Sequence, residues 1–181
     1  MNTLPAEHPQ FPGKPWIASD LTITADVMEA IEAHALETYP SECCGFVFGP
    51  ADAPTHLDEG KREENEADKY HRLDPETFPR TSTTYFKINE LRATRTLDAA
   101  AEAGRPLKVI YHSHCDAGAY FSEEDAATFA HQGQLMWPCA FIVVSVQRQG
   151  GEPAVVERKL WLHVPGSGDF REGALTVSAP A

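Results

Sequence analysis

His112 and His114 stand two residues apart at the end of an apolar run, in the string YHSHC. Side chains on a strand alternate faces, so both imidazoles project to the same side and two nitrogen ligands converge. Asp125 follows in S-E-E-D, and the loop CDAGAYF can fold the chain back so that a helix starting at Ser122 lies over the strand end. Asp125 can then supply an oxygen. Two histidines and a carboxylate leave a fourth tetrahedral position for water, which is how catalytic rather than structural zinc sites are built. The bland readings are as concrete. An isolated H-x-H can be a pair of solvated or hydrogen-bonded rings. S-x-x-[DE] before a helix is a capping box, with Ser122 as cap and Asp125 as its reciprocal partner. A carboxylate engaged by zinc is expected to reach back to the cap only in part.

These residues need elements to hold them. Leu21 to Thr24 reads as a short strand, and Thr24 caps a helix in which Val27, Ile31 and Ala35 recur every fourth residue until Tyr39 and Pro40 stop it. Cys43 to Gly49 is a short apolar run between prolines, expected to be a buried strand with Glu42 at its mouth. Ala51 to Asp68 is acidic and polar, and Tyr70 to Leu73 alternates as another strand would. Ile88 to Ala103 predicts a helix with a stripe of Leu91, Thr94, Leu97 and Ala101, ended by Gly104. Leu107 to Tyr111, Phe141 to Val146 and Val155 to Val164 complete a sheet. The fold class is α/β (α+β), a mixed β-sheet flanked by helices, in one domain over residues 16–165. Met1 to Pro15, with four prolines and few large apolar side chains, reads as a flexible leader, and 166–181 as a flexible Gly/Pro/Ser-rich tail.

The 181 residues suffice for one core, and 42% apolar with 23% charged residues is ordinary globular usage. A net charge of -12, from 27 acidic against 15 basic side chains, disfavours nucleic acid and anionic membrane surfaces. The four cysteines form no C-x-x-C pair, and adjacent Cys43 and Cys44 are poorly placed to bridge each other. With no signal-like or membrane-spanning run, the reading is a soluble, cytoplasmic protein.

YHSHCDAGAYFSEED together with SECCGFVFG resembles the JAMM (JAB/MPN) metallopeptidase family. That pattern is a Glu near the strand after the first helix, then H-x-H, seven residues and S-x-x-D. Each position is matched here, and the likeness runs from about Leu21 to Val164. It implies a JAB/MPN (cytidine-deaminase-like) domain with one zinc ion per chain. His112, His114 and Asp125 would bind the metal, Glu42 would take a proton from the attacking water, and Ser122 would steady the oxyanion. Cys44 and Gly45 fit the family's E-x-C-G strand and read as structural. Many members have proline after H-x-H, where this chain has Cys115; Gly118 and Tyr120 also depart from the pattern. Cys115 reads as a small apolar filler, and His131 as an exposed residue of the Ser122 helix. His8, His34, His56, His71 and His163 carry no comparable pattern.

Small stand-alone bacterial members are the better likeness, and ENEADKYHRLDPETF looks like their N-x-A, aromatic and D-P segment. Their association with ubiquitin-like sulfur carriers implies cleavage of an amide after a C-terminal Gly-Gly, with release of cysteine or of a conjugated protein. Such a tail could add beside the sheet as a strand. A homo-oligomer is compatible with the sequence. One rival is a non-catalytic MPN-type scaffold, in which the ligand positions are typically lost. A second is a metallo-β-lactamase-like hydrolase using His112, His114 and Asp116, which Ala117 breaks. The zinc deaminases' P-C-x-x-C is absent: Pro138 and Cys139 lack the second cysteine.

Overall fold

Nine consecutive residues, Leu107–Cys115, form the central strand, and the first eight are buried. A near-continuous apolar run is what a strand covered on both faces requires. The computed structural model describes residues 6–179. In chain order its elements are β1 (Leu21–Thr24), α1 (Ala25–Thr38), β2 (Cys44–Phe48), β3 (His56–Leu57), β4 (Glu59–Glu63), α2 (Ala67–Leu73), α3 (Glu90–Glu102), β5 (Leu107–Cys115), α4 (Glu123–Phe129), β6 (Ala130–His131), β7 (Gln134–Leu135), β8 (Ala140–Gln149), β9 (Glu152–His163), β10 (Phe170–Gly173) and β11 (Leu175–Ser178).

The main sheet runs β10-β9-β8-β5-β2-β4. Only β5 and β8 pair in parallel; the other ladders are antiparallel. A mixed sheet with helices packed on it is the expected class. The segment between β5 and β8 carries α4, so the chain leaving the end of β5 must cross above the sheet before returning. Val27, Met28, Ile31, His34 and Ala35 are the buried face of α1. His34 Nδ1 lies 2.8 Å from the Tyr111 hydroxyl, so α1 covers the face of β5 that Tyr111 presents. His112, one residue on, points to the other face, where its ring stacks on Phe86 with centroids 4.5 Å apart.

Several elements depart from the sequence reading. Tyr70 to Leu73 belongs to the helix α2 rather than to a strand; Tyr70 instead packs on Phe78 and under the Lys87 ammonium. The helix expected over 88–103 is present as α3, but the buried position is Ala93, with Leu97 and Ala100 packed beside it, while Leu91 is 66% exposed. A stripe drawn one residue off still looks amphipathic because alanine is apolar on every face of this helix. Lys108, inside the apolar run of β5, is fully buried and donates to the carbonyls of Pro50, Ala53 and His56 at 2.7, 2.7 and 3.0 Å.

Both presumed flexible ends are structured where they are described. The part of the expected leader at 1–5 lies outside the described residues. In the rest, His8 is 1% exposed and its Nε2 lies 2.9 Å from His163 Nδ1, while Gln10 makes two hydrogen bonds with the Leu135 backbone. Polar anchors, with Phe11 packed against the core beside them, tie this segment down. At the other end β10 pairs with β9, and β11 pairs in parallel with β1, Leu21 against Leu175. Phe170, in contact with Phe121 and Phe141, supplies the apolar anchor that a composition count over the tail dilutes. No helix among the described residues is long and apolar enough to cross a membrane.

Candidate metal centre

His112 and His114 leave β5 on one face, and α4 brings Asp125 to them. His112 Nε2 and His114 Nε2 are 3.3 Å apart, and Asp125 Oδ2 lies 3.2 Å from each. A tetrahedron has edges about 1.63 times its centre-to-vertex distance, so zinc bonds of about 2.0–2.1 Å require ligand atoms about 3.3–3.4 Å apart. The triangle has that size. Its chemistry also asks for a cation. His114 Nδ1 lies 2.8 Å from the Gly118 carbonyl and must donate to it, which leaves the Nε2 lone pair of the neutral ring facing the centre. Asp125 Oδ2 meanwhile accepts the Ser122 amide at 3.0 Å. Electron-rich atoms packed this closely repel one another unless a cation or a proton lies among them. All three residues are buried, and their ligand atoms lie close enough together to hold one metal ion.

The capping box and the candidate ligand role coexist. Asp125 N–H donates to Ser122 Oγ at 3.0 Å while Ser122 N–H donates back to Oδ2. The expected conflict does not arise, because a carboxylate oxygen has lone-pair directions for both the amide and the histidine side. The Ser122 hydroxyl accepts from the helix and keeps its own proton free to donate.

Glu42 is delivered by the sheet register. Cys44 pairs with His112 across β2 and β5, and the ladder continues with Ser113 N–H donating to the Cys43 carbonyl at 3.1 Å. Two residues beyond Cys44, Glu42 therefore stands opposite His114. Asn65 fixes it there: its amide donates to the Glu42 and Tyr85 carbonyls at 2.9 Å each, and its oxygen accepts from Ala67 and Lys87 at 3.0 Å. The sequence displayed Asn65 only as part of an N-x-A string; four backbone bonds from one side chain are invisible without the fold. Gly45 is required for the close approach of strands, since a Cβ there would lie 2.4 Å from the Lys61 carbonyl and from the Tyr111 ring.

Charge and burial set the titration of these groups. Burial raises the Glu42 carboxyl and the Asp125 charge adds to it, against the pull of His112, His114 and Arg80; the result is about 7. Burial also pushes Asp125 up, but His112 and His114 beside it and the Ser122 amide outweigh it. Its carboxyl is held well below the usual range. The Cys115 thiol, half-buried, is pushed up to about 12 by burial and then by Glu42, so it stays protonated and unreactive.

Glu42, His114, Cys115 and Ser122 share one cleft of about 160 Å³ with Arg80 and Tyr120. A larger hollow of about 360 Å³, between Leu97, Met136 and Trp137, contains no such cluster. Asp116 is not in the centre: it adopts a left-handed φ of 56°, and its carboxylate accepts from the Tyr39 hydroxyl at 2.7 Å and the Arg148 amide at 3.2 Å. It turns the chain, which removes the lactamase-like ligand set. His131 is exposed as expected but lies in β6, beyond the end of α4.

The family described as prokaryotic homologs of the JAB domain matches residues 24–162. The chain is 32% identical over 105 residues to the CysO-cysteine peptidases of Mycobacterium tuberculosis and Mycobacterium bovis. That alignment covers 58% of this chain and 62% of those proteins. In fold, it is similar to the solution structure of a Desulfitobacterium hafniense protein, with a TM-score of 0.60 at 18% identity over 88% of this chain and 94% of that one. A Salinibacter ruber protein gives 0.56 at 24% identity, over 87% and 92%. With a family match that spans both β2 and the His112–Asp125 segment, the chain belongs to the prokaryotic JAB branch of the JAMM (JAB/MPN) family.

Proposed function

We propose that the chain is a zinc-dependent peptidase that hydrolyses the amide following the C-terminal Gly-Gly of a ubiquitin-like sulfur-carrier protein. The observation that carries the reading is the triangle of His112, His114 and Asp125 at tetrahedral spacing, with Glu42 opposite His114 in the same cleft. The three residues would hold one zinc ion, which when bound would supply Lewis acidity, polarising the scissile carbonyl and easing deprotonation of a water. Glu42, poised near neutrality by burial, accepts that water's proton as the new C–O bond forms. It returns the proton to the departing nitrogen as the C–N bond breaks. The free proton of the Ser122 hydroxyl points to a donor for the negative charge that develops on the carbonyl oxygen.

Support for the substrate class comes from the similarity to the mycobacterial CysO-cysteine peptidases. Glycines without side chains suit a tail that must thread past buried groups in a cleft of this size. The test pairs metal content with turnover. Wild type should carry about one zinc and cleave a Gly-Gly-terminated carrier adduct; Asp125→Ala should lose the metal, and Glu42→Gln should keep it without turnover. Normal zinc content in Asp125→Ala would remove the ligand set. Wild type that binds zinc and carrier but never cleaves would favour the scaffold reading.

A further inference from the structure

One group in the cleft has no part in the hydrolysis above. Arg80 lines it beside Glu42, His114 and Ser122, and it is the only lysine or arginine among the described residues that do so. Its place is fixed. The loop that carries it is pinned at Ser82, whose amide and hydroxyl bind the Asp68 carboxylate at 2.7 and 2.8 Å and whose carbonyl accepts the Glu42 amide at 2.7 Å. Arg80 donates to the Thr84 carbonyl at 3.3 Å and reaches Glu124 on α4 at 3.2 Å. It therefore joins the loop beside Glu42 to the helix that opens at Ser122. These contacts engage two of the five guanidinium N–H groups, and the side chain is 43% exposed.

We propose that Arg80 reads the free α-carboxylate of the leaving group, so that the enzyme removes a single C-terminal amino acid from the carrier tail. The inference rests on the peptidase reading above. In a one-residue leaving group, the α-carboxylate lies only two bonds from the nitrogen being released, so it must sit close to the centre. Arg80 is the one lysine or arginine among the described residues lining that cleft, and its planar fork matches a carboxylate. A lysine side chain of a conjugated protein, or an internal peptide, has no carboxylate there and no use for it.

The probe is a sulfur-carrier protein ending in Gly-Gly, ligated to cysteine either as the free acid or as the primary amide. Zinc-loaded wild type should prefer the acid by about ten- to hundred-fold in kcat/KM, chiefly through KM, as expected for a charge-assisted pair. Arg80→Gln should bring the acid down to the level of the amide, and Arg80→Lys should retain part of the preference. Glu124→Gln separates recognition from the mere fastening of loop to helix: it should keep the preference, whereas a fastening role would make it mimic Arg80→Gln. Equal cleavage of acid and amide by wild type, or a preference that survives Arg80→Gln, overturns the proposal and leaves the peptidase standing. Should wild type cleave neither, the peptidase reading fails. Arg80 is then judged by calorimetry on Glu42→Gln protein, in which tighter binding of the acid must vanish when Arg80→Gln is added.

Discussion

Asp125 and Ser122 close a capping box through the same carboxylate oxygen that lies 3.2 Å from both His112 Nε2 and His114 Nε2. Start of helix and candidate ligand are one atom, so substitutions should separate the two roles. Asp125→Asn keeps an oxygen for the Ser122 amide but loses the charge: the fold should melt near wild type, while zinc no longer raises the melting temperature. Ser122→Ala removes the cap at a cost of about 1 kcal/mol and should still respond to zinc. Thermal melts with and without zinc check both, and a zinc response in Asp125→Asn equal to wild type would contradict the assignment.

Gly45→Ala should destabilise the fold on the order of 3 kcal/mol, because its methyl would meet a backbone carbonyl on one side and the buried Tyr111 ring on the other, both at 2.4 Å. Urea denaturation should show a lower midpoint with an unchanged slope. A midpoint within error of wild type would mean that β2 and β4 are not packed as described.

His34 couples stability to acid. Burial lowers its pKa from 6.5 to about 4, with Arg62 assisting and Glu37 opposing. The folded value is depressed, so the neutral ring contributes stability that is complete above about 6.5 and is lost as pH falls through 4; the ceiling is about 3 kcal/mol. Unfolding free energy measured between pH 7 and 4 should fall more steeply for wild type than for His34→Gln. Parallel curves would show that the ring is not buried neutral against Tyr111.

The His8–His163 pair should latch the N-terminal segment. His163 Nε2 faces the Ser167 carbonyl at 2.7 Å and donates to it, so His163 Nδ1 accepts from His8 Nε2, and His8 Nδ1 accepts the Gln10 amide at 3.3 Å. A further proton on either ring breaks this chain. Burial, then the charge of His163, lowers the His8 pKa, so the latch is intact at neutral pH and weakens on acidification. Amide exchange of residues 8–14, corrected for intrinsic rate, should rise on acidification and be fast at every pH in His8→Ala; protection indifferent to both would refute the latch.

The sequence displayed the strand carrying His112 and His114, the cap at Ser122 and the mouth position of Glu42, because each is a local pattern of period two or of cap spacing. It concealed what depends on long-range contact. Asn65 and Ser82 act through backbone groups far along the chain, and Arg80 acquires meaning only when its loop closes on α4. The order of the chain ends is hidden from composition for the same reason: their anchors are single residues, His8, Gln10 and Phe170, whose partners lie elsewhere. Tyr70 to Leu73 alternates like a strand, yet an aromatic and a cation satisfy the tyrosine on a helix.

The pairing of β1 with β11 bears on how the molecule is made. Leu21 meets Leu175, 154 residues later in the chain, in a parallel ladder. Loop closure over such a separation is slow and follows the formation of nearer contacts. During synthesis β1 must therefore wait, its Leu21 and Ile23 uncovered by their final partner, until nearly the whole domain has left the ribosome. The nascent chain is thus exposed to chaperones, or to its own copies, at its first strand, long before the sheet that holds His112 and His114 is complete.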